Sequence, residues 1–247
     1  MFSKSYTKYI QSLQHKKARD EAGLFVAEGP KLIPELLSAD KFNCRQVFGT
    51  ASWINANAAL LKQSNVEIIT VKDFELEKIS GLSTANEVLG IFEKTKAVET
   101  FSLKGKITLV LDAIQDPGNL GTIIRIADWY AVEHIICSET CADMYNPKVV
   151  QSTMGSIARV NIIYTDLQQW IKTNAGIAVF AAALKGRELS DLKNIQEAIL
   201  IIGNESKGIS KELLELATEK ITITKKGHAE SLNAAVATGI ILSHLNS

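Results

Sequence analysis

Three short stretches of this chain place chemically capable side chains where an apolar run gives way to a helical pattern. The first is Asn119-x-Gly121-x-x-x-Arg125, behind the turn Pro117-Gly118. An asparagine at a helix start caps free backbone N–H groups, and Gly121 lets a ligand or another backbone come close. Helical side chains lean toward the N-terminus, so Arg125, in the second turn behind Asn119, can reach the loop mouth and grip a phosphate with two donors. The second stretch is Gly203-Asn204-Glu205-x-x-Gly208, directly after the apolar run Ala198 to Ile202. A tight turn with exposed backbone amides and carbonyls suits the edge of an adenine or a ribose. The third is Ser231-Leu232-Asn233 at the head of the last helical pattern, where unpaired amides and the macrodipole favour an anion.

Each stretch also has an ordinary reading. Asn119 caps a helix while Arg125 pairs with Asp128 or a surface carboxylate. Residues 203–208 form a strand-to-helix turn, with Ser210 capping a helix from Lys211. Ser231 is a routine cap, and His228 is a solvated loop histidine. Other chemistries are disfavoured outright. No strand–GxGxxG–helix fingerprint and no GxxxxGK[ST] loop is present, which argues against ordinary dinucleotide binding and P-loop chemistry. Cys137 and Cys141 lie near His134 but follow an apolar run and lack a second pair at zinc-ligand spacing, so they read as buried strand cysteines and no metal is expected.

The elements that position these stretches alternate along the chain. In the first half, Tyr9, Ile10 and Leu13 fit one helix face, and Leu24 to Ala27 reads as a strand that turns at Glu28-Gly29-Pro30. Pro30 opens a helix carrying Leu32, Ile33, Leu36 and Leu37. Val47-Phe48, a helix from about Ser52 to Lys62, Val66 to Val71 and Val88 to Phe92 follow. A polar stretch from Lys94 to Lys106 marks a boundary, giving domains over residues 1–98 and 105–247. In the second half, Ile107 to Leu111, His134 to Cys137, Ile177 to Leu184, Ala198 to Ile202 and Ile221 to Thr224 read as strands. Helices are expected from Asn119, over Val149 to Ala158, and at the end, where Leu232, Ala235, Val236, Gly239 and Ile240 share a face. Near-continuous apolar runs separated by helices predict a parallel sheet covered on both faces, and ligands bind such sheets at the carboxyl ends of the strands.

Composition bounds what this α/β chain can be. Its 247 residues are 46% hydrophobic and 22% charged, which excludes a wholly disordered chain. Lys+Arg 27 against Asp+Glu 27 leaves no net charge, so any polyanion must be held by local clusters: Lys16, Lys17 and Arg19, and Lys225 with Lys226. No apolar run is long enough to cross a bilayer, and nothing after Met1 to Tyr6 has a signal peptide's apolar stretch. Three cysteines are too few for a disulfide scaffold, which predicts a reducing, cytoplasmic setting.

Taken in order, Asn119-x-Gly121-x-x-x-Arg125, Gly203-Asn204-Glu205-x-x-Gly208 and Ser231-Leu232-Asn233 resemble the three motifs of the SpoU (TrmH-like) family, RNA ribose 2'-O-methyltransferases of the SPOUT superfamily. The likeness spans Ile107 to Ser247. Lys16-Lys17, Arg19, Leu24 to Val26 and Glu28-Gly29 also resemble that family's small RNA-binding domain, an α/β fold like ribosomal protein L30e. The resemblance implies a deep trefoil knot in the C-terminal parallel-sheet domain and a homodimer that completes the site. It implies S-adenosylmethionine as methyl donor, held by Gly203, Asn204, Glu205, Ile223, Ser231 and Leu232. Arg125 is then the residue that engages RNA phosphate and helps activate the ribose hydroxyl, with Asn119, Glu205, Ser231 and Asn233 orienting ribose, phosphate and arginine. Ribosomal or transfer RNA is the implied partner, touched by Lys16, Lys17, Arg19, Arg125, Lys225 and Lys226.

Two positions depart from the family pattern. Ser206 stands where a third glycine is common, and Thr224-Lys225 follows Ile223 where a Pro-Met-like pair is usual. Two other classes stay open at this stage: an RNA-binding protein of the same fold without methyl transfer, and a metabolic enzyme acting on a small nucleotide.

Overall fold

The computed structural model describes residues 3–64, 66–96, 100–193 and 195–246. The chain divides into two compact units. One holds residues up to 96 together with 143–159, and the other holds 100–142 together with 160 onward. The C-terminal stretch expected as one block, 105–247, therefore lends 143–159 to the first unit, and residues 97–99 of the expected boundary lie outside the described residues.

The first unit is built on a four-stranded mixed sheet: β1 (Leu24–Glu28), β2 (Cys44–Gly49), β3 (Glu67–Thr70) and β4 (Val88–Glu93), in the order β1-β4-β2-β3. Only β2 and β3 run parallel. Alternate residues of β1 serve opposite faces, as a pleat requires. Val26 joins Ile10, Leu13, Leu76 and Ile79 in one buried cluster. Phe25 packs instead against Phe42, Phe92 and Tyr145. Tyr145 belongs to the 143–159 segment, so an aromatic contact anchors that segment to the sheet.

Several boundaries differ from expectation for local reasons. The span from Ser52 to Lys62 is two helices, Ala51–Ala56 and Ala58–Gln63, divided at Asn57. The Asn57 side-chain amide donates to the Trp53 carbonyl at 2.8 Å, competing with helix continuation. The expected helix over Val149 to Ala158 is helix Pro147–Thr153 followed by a short 3-10 turn, Ser156–Ala158. The chain leaves the first through two left-handed residues, Met154 and Gly155. Pro30 sits in the turn before helix Leu32–Leu37 and does not open it.

One expected RNA contact is corrected here. Arg19 is 1% exposed, inside helix Lys16–Ala22. Its guanidinium donates to the Leu13 and Gln14 carbonyls at 3.1 and 2.8 Å and pairs with Asp143 at 2.6 Å. A cation this enclosed is a structural cross-link to the 143–159 segment and is closed to phosphate. Lys16 and Lys17 stay on the surface, each paired with an acid four residues on, Asp20 and Glu21.

The second unit carries a six-stranded sheet, all parallel: β5 (Ile107–Leu111), β6 (His134–Cys137), β7 (Asn161–Tyr164), β8 (Val179–Glu188), β9 (Ala198–Ile202) and β10 (Glu219–Thr222). The order is β10-β8-β9-β5-β6-β7. Strands β5 and β9 lie side by side at the centre, where the winding reverses direction, and a crevice opens at the carboxyl ends of such a pair. Helix Pro117–Trp129 and helix Ala234–Leu245 pack together, with Gly239 against Ile126. Helices Leu167–Thr173 and Lys211–Leu216 bury Leu167, Ile171 and Leu213 in a cluster with Ile199 and Ile201 of β9. Strand β8 leaves its ladder with β10 between Ala181 and Arg187, and its Gly186 backs onto the Lys220 carbonyl so closely that a Cβ would lie 2.3 Å from that oxygen. Among the described residues no helix is long and apolar enough to cross a membrane.

Removing one partner of a buried ion pair strands the other. Arg19→Met should therefore lower unfolding stability by about 3–5 kcal/mol, while Lys16→Met, at an exposed pair, should change it by less than about 0.5 kcal/mol. Urea titrations of both variants check this, and equal midpoints would show the Arg19 cross-link to be inert.

Candidate active site

The loops leaving the two central strands are tied to one another. After β5, the Asp112 N–H donates to the Ile202 carbonyl at 2.9 Å, and the Asp112 carboxylate accepts from the Ser210 N–H at 2.7 Å. Ala113 holds a left-handed φ of 54°. Its N–H donates to the Ser138 hydroxyl, and its carbonyl accepts from the Asn204 amide at 2.8 Å. The Cys141 sulfur accepts from the Ile114 N–H and donates to the Leu111 carbonyl. Hydrogen bonding with Cys137 pulls the Cys141 thiol down to about 7 against its own burial, while the same hydrogen bond, and then full enclosure, push Cys137 up. These thiols brace a loop. Among the described residues no group of three or more His, Cys, Asp or Glu could hold a metal ion.

The turn after β9 closes on itself. Asn204 and Gly208 exchange backbone hydrogen bonds at 3.0 and 2.8 Å, and the Asn204 side-chain oxygen accepts from the Ser206 and Lys207 N–H groups. Gly203 is obligatory: a Cβ there would lie 2.4 Å from the Gly208 carbonyl carbon and from the Ile209 nitrogen. Ser206 fits this turn through its N–H alone, so the family's extra glycine is not needed for the hydrogen bonding seen here.

Helix Pro117–Trp129 begins two residues earlier than expected, and its cap is Asp116, whose carboxylate accepts from the Asn119 N–H at 2.8 Å. That frees the Asn119 side chain. Its amide nitrogen donates to the Glu205 carboxylate at 2.5 Å, and its amide oxygen accepts from the Asn233 amide at 2.8 Å. Asn233 in turn caps the last helix, accepting from the Ala235 and Val236 N–H groups. The orientation of the Asn119 amide follows from its neighbours: Glu205 can only accept, and the Asn233 oxygen is already committed to two backbone donors. One residue from each of the three stretches therefore meets in a single relay.

The other expected site residues lie around this relay or apart from it. Arg125, now in the third helical turn, is exposed and forms no hydrogen bond or ion pair with a described residue, neither with Asp128 nor with the relay. Ser231 is exposed and is not the cap, since the helix starts three residues later. Ile223 is half-buried just past β10, Leu232 is exposed, and Lys225 and Lys226 are exposed in the same connection. Asp112, Asp116 and Ala113 were missed by sequence reading. Asp116 carried a usable signal, because an acid directly before proline marks a cap followed by the first helical residue.

Comparison with known proteins identifies the family of the chain. Residues 106–243 match the profile of the SpoU rRNA Methylase family. The chain belongs to that family. Residues 4–90 match the MRM3-like substrate binding domain. The 23S rRNA (guanosine(2553)-2'-O)-methyltransferase RlmP of Bacillus subtilis (strain 168) is 26% identical over 95% of this chain and 93% of its own length. A putative RNA methyltransferase of the TrmH family from Porphyromonas gingivalis is 35% identical, with a TM-score of 0.85 over 99% of this chain and 98% of that one. An AdoMet-bound rRNA methyltransferase from Sinorhizobium meliloti is 30% identical, with a TM-score of 0.86 over 99% and 96%. In SpoU-family terms, the relay joins the asparagine of the first motif, the glutamate of the second and the asparagine of the third.

The crowding at Gly203 yields a stability test. Gly203→Ala forces backbone apart and should cost about 1–3 kcal/mol, whereas Gly227→Ala, which meets open space, should be near neutral. Thermal melts of the two variants check this. Matching melts would mean that the turn relaxes freely.

Proposed function

We propose that the protein transfers a methyl group from S-adenosylmethionine to a ribose 2'-hydroxyl in ribosomal RNA, with transfer RNA as the second substrate class. The observation that carries this is the Asn233–Asn119–Glu205 relay at the carboxyl ends of the central strands. The preference for ribosomal RNA is supported by a relative named for 23S rRNA that matches almost end to end. Family membership and an intact relay weigh against a binding protein without activity and against a small-nucleotide enzyme.

The residues present suit the methyl donor. The closed turn Asn204 to Gly208 presents backbone groups beside Glu205, whose own N–H has no partner among the described residues. Leu232, 47% exposed, and half-buried Ile223 offer apolar surface in the third segment. When bound, the donor supplies a methyl group on a sulfonium, an excellent leaving group. The protein is left with alignment and charge. A ribose hydroxyl is a poor nucleophile until its proton is leaving, so a group must sit where negative charge grows on the oxygen. Arginine, with a pKa above about 12, is an implausible base. Arg125 instead aligns an RNA phosphate and stabilises the developing oxyanion, while the relay fixes Glu205 and the start of the last helix in register with it.

The same reading includes a homodimer, a trefoil knot, an RNA-binding first unit and a cytoplasmic setting where the cysteines stay reduced. Supporting the dimer, Val236 and Ile240 are 51% and 39% exposed one turn apart on the last helix, and Trp129 is 84% exposed at the end of the helix packed on it. Apolar side chains presented together in this way mark a partner surface. Supporting the knot, β10 lies at the sheet edge, three strands from β5, yet eleven residues later Asn233 reaches Asn119. Lys16 and Lys17, with Lys225 and Lys226, are the proposed phosphate contacts.

Arg125→Ala should lower methyl transfer to total RNA by roughly 10²–10³-fold, the usual cost of losing one oxyanion-stabilising donor. S-adenosylmethionine affinity, measured by calorimetry, should stay nearly unchanged, and Arg125→Lys should not restore transfer because the bidentate grip is lost. Equal loss of transfer and of cofactor binding would assign Arg125 a structural role. Mapping 2'-O-methyl sites in a strain without the protein would then name the target by its missing mark.

A further inference from the structure

The first unit contains a cleft of about 320 Å³ that the proposed chemistry does not use. This is at the small end of ligand pockets, which run roughly 300–1,000 Å³, and so suits one planar ring system. Val26, Leu82 and Pro147 supply apolar lining, with Glu28, Lys148 and Gln151 as polar members of it. Glu28 is the unusual component. It ends β1, is 5% exposed, and burial pushes its carboxyl above the ordinary carboxylate range, against the pull of Ser80 and Gly81. Its two oxygens accept one hydrogen bond each, from the Ser80 hydroxyl at 2.5 Å and the Gly81 N–H at 2.8 Å. A carboxylate has about four acceptor positions, so each oxygen keeps one for a ligand.

We propose that this cleft receives an unpaired guanine of the RNA substrate and that Glu28 reads its Watson–Crick edge, an inference that rests on the RNA methyltransferase reading. The argument is one of matching donors. Guanine places N1–H and N2–H side by side, one for each carboxylate oxygen. Adenine and cytosine set a single donor beside a ring acceptor, and uracil sets its one donor between two carbonyls, so each turns an acceptor toward an acceptor. Recognition of single-stranded RNA commonly packs a splayed base against flat side chains, usually aromatic, and hydrogen-bonds its edge; here the aliphatic Val26, Leu82 and Pro147 supply the packing surface. Lys148 is exposed, where a backbone phosphate can meet it. Glu28 is thus a specificity-determining residue, outside the methyl-transfer machinery.

The test is calorimetry of the full chain with guanosine, inosine and adenosine 5'-monophosphates, run beside transfer of labelled methyl groups into total RNA. Inosine lacks the 2-amino group, so the guanosine nucleotide should bind about tenfold more tightly than either of the others. Glu28→Gln keeps the side chain's shape while turning one acceptor into a donor, and should abolish that preference. Ser83→Trp fills the mouth from an exposed residue without touching the Glu28 hydrogen bonds, and should weaken binding of all three. Equal binding of the three nucleotides, or a guanosine preference that survives both substitutions, overturns the proposal. Methyl transfer without any guanosine preference sinks this inference alone. A Glu28-dependent preference without methyl transfer sustains the cleft and sinks the enzymatic reading.

Discussion

One side-chain amide holds the second unit's chemistry together. Asn119 donates to Glu205, 86 residues away in sequence, and accepts from Asn233, 114 residues away. Both polar ends of the group are used, and swapping them would set an oxygen against a carboxylate, so the relay has one orientation. That orientation depends in turn on Asp116. Had Asn119 capped its own helix, its oxygen would have been spent on a backbone N–H and Asn233 would have had nothing to donate to. A cap placed three residues upstream is therefore the condition for the three segments to meet.

The sheet explains why they meet at this place. Loops from adjacent central strands β5 and β9 are neighbours by construction, and Asp112 and Ala113 hydrogen-bond both ways across that gap. The third segment has no such advantage, since β10 is an edge strand. It must travel back across the strand ends to reach Asn119, beside a turn that Gly203 keeps tight by leaving room for the backbone of residues 208 and 209. Val236 and Ile240 of the last helix are exposed, and on the proposed dimer reading a second copy seated there would carry its own Arg125 toward this crevice. The proposed dimer would account for a crevice that, within one chain, orders an acid and two amides while Arg125 stays exposed.

Much of this was legible in the residues, for physical reasons. Ile107 to Leu111, His134 to Cys137 and Ala198 to Ile202 are strands at the expected bounds, because a strand covered on both faces is a near-continuous apolar run. The three motifs were legible because their turn residues follow directly on those runs. Arg19 was misread because a lysine-rich neighbourhood looks solvated, and only the fold brings Asp143, 124 residues on, against it. The membership of 143–159 in the first unit was invisible for the same reason, since Tyr145 reads as an ordinary residue until Phe25 covers its ring. The departure of β8 from its ladder, where Gly186 backs onto the Lys220 carbonyl of β10, left no trace in periodicity. Local pattern specifies elements, and contacts between distant segments specify sites.

The charges follow the same division between local and distant. With 27 basic and 27 acidic residues, affinity for a polyanion depends on which lysines are already neutralised. In the first unit Asp20 holds both Lys16 and Lys94 at 2.6 Å, and these two cations draw its carboxyl down to about 2. Lys17 stands 3.9 Å from Glu21. On the proposed RNA reading, a phosphate arriving there would exchange one partner for another, so this cluster would contribute more to orientation than to affinity. Lys225 and Lys226 are exposed and have no acidic partner among the described residues. Releasing counterions from unpaired lysines is what gives phosphate binding its strength. In a chain without net charge, the proposed RNA reading then assigns the strongest phosphate contact to the connection that leads to Asn233.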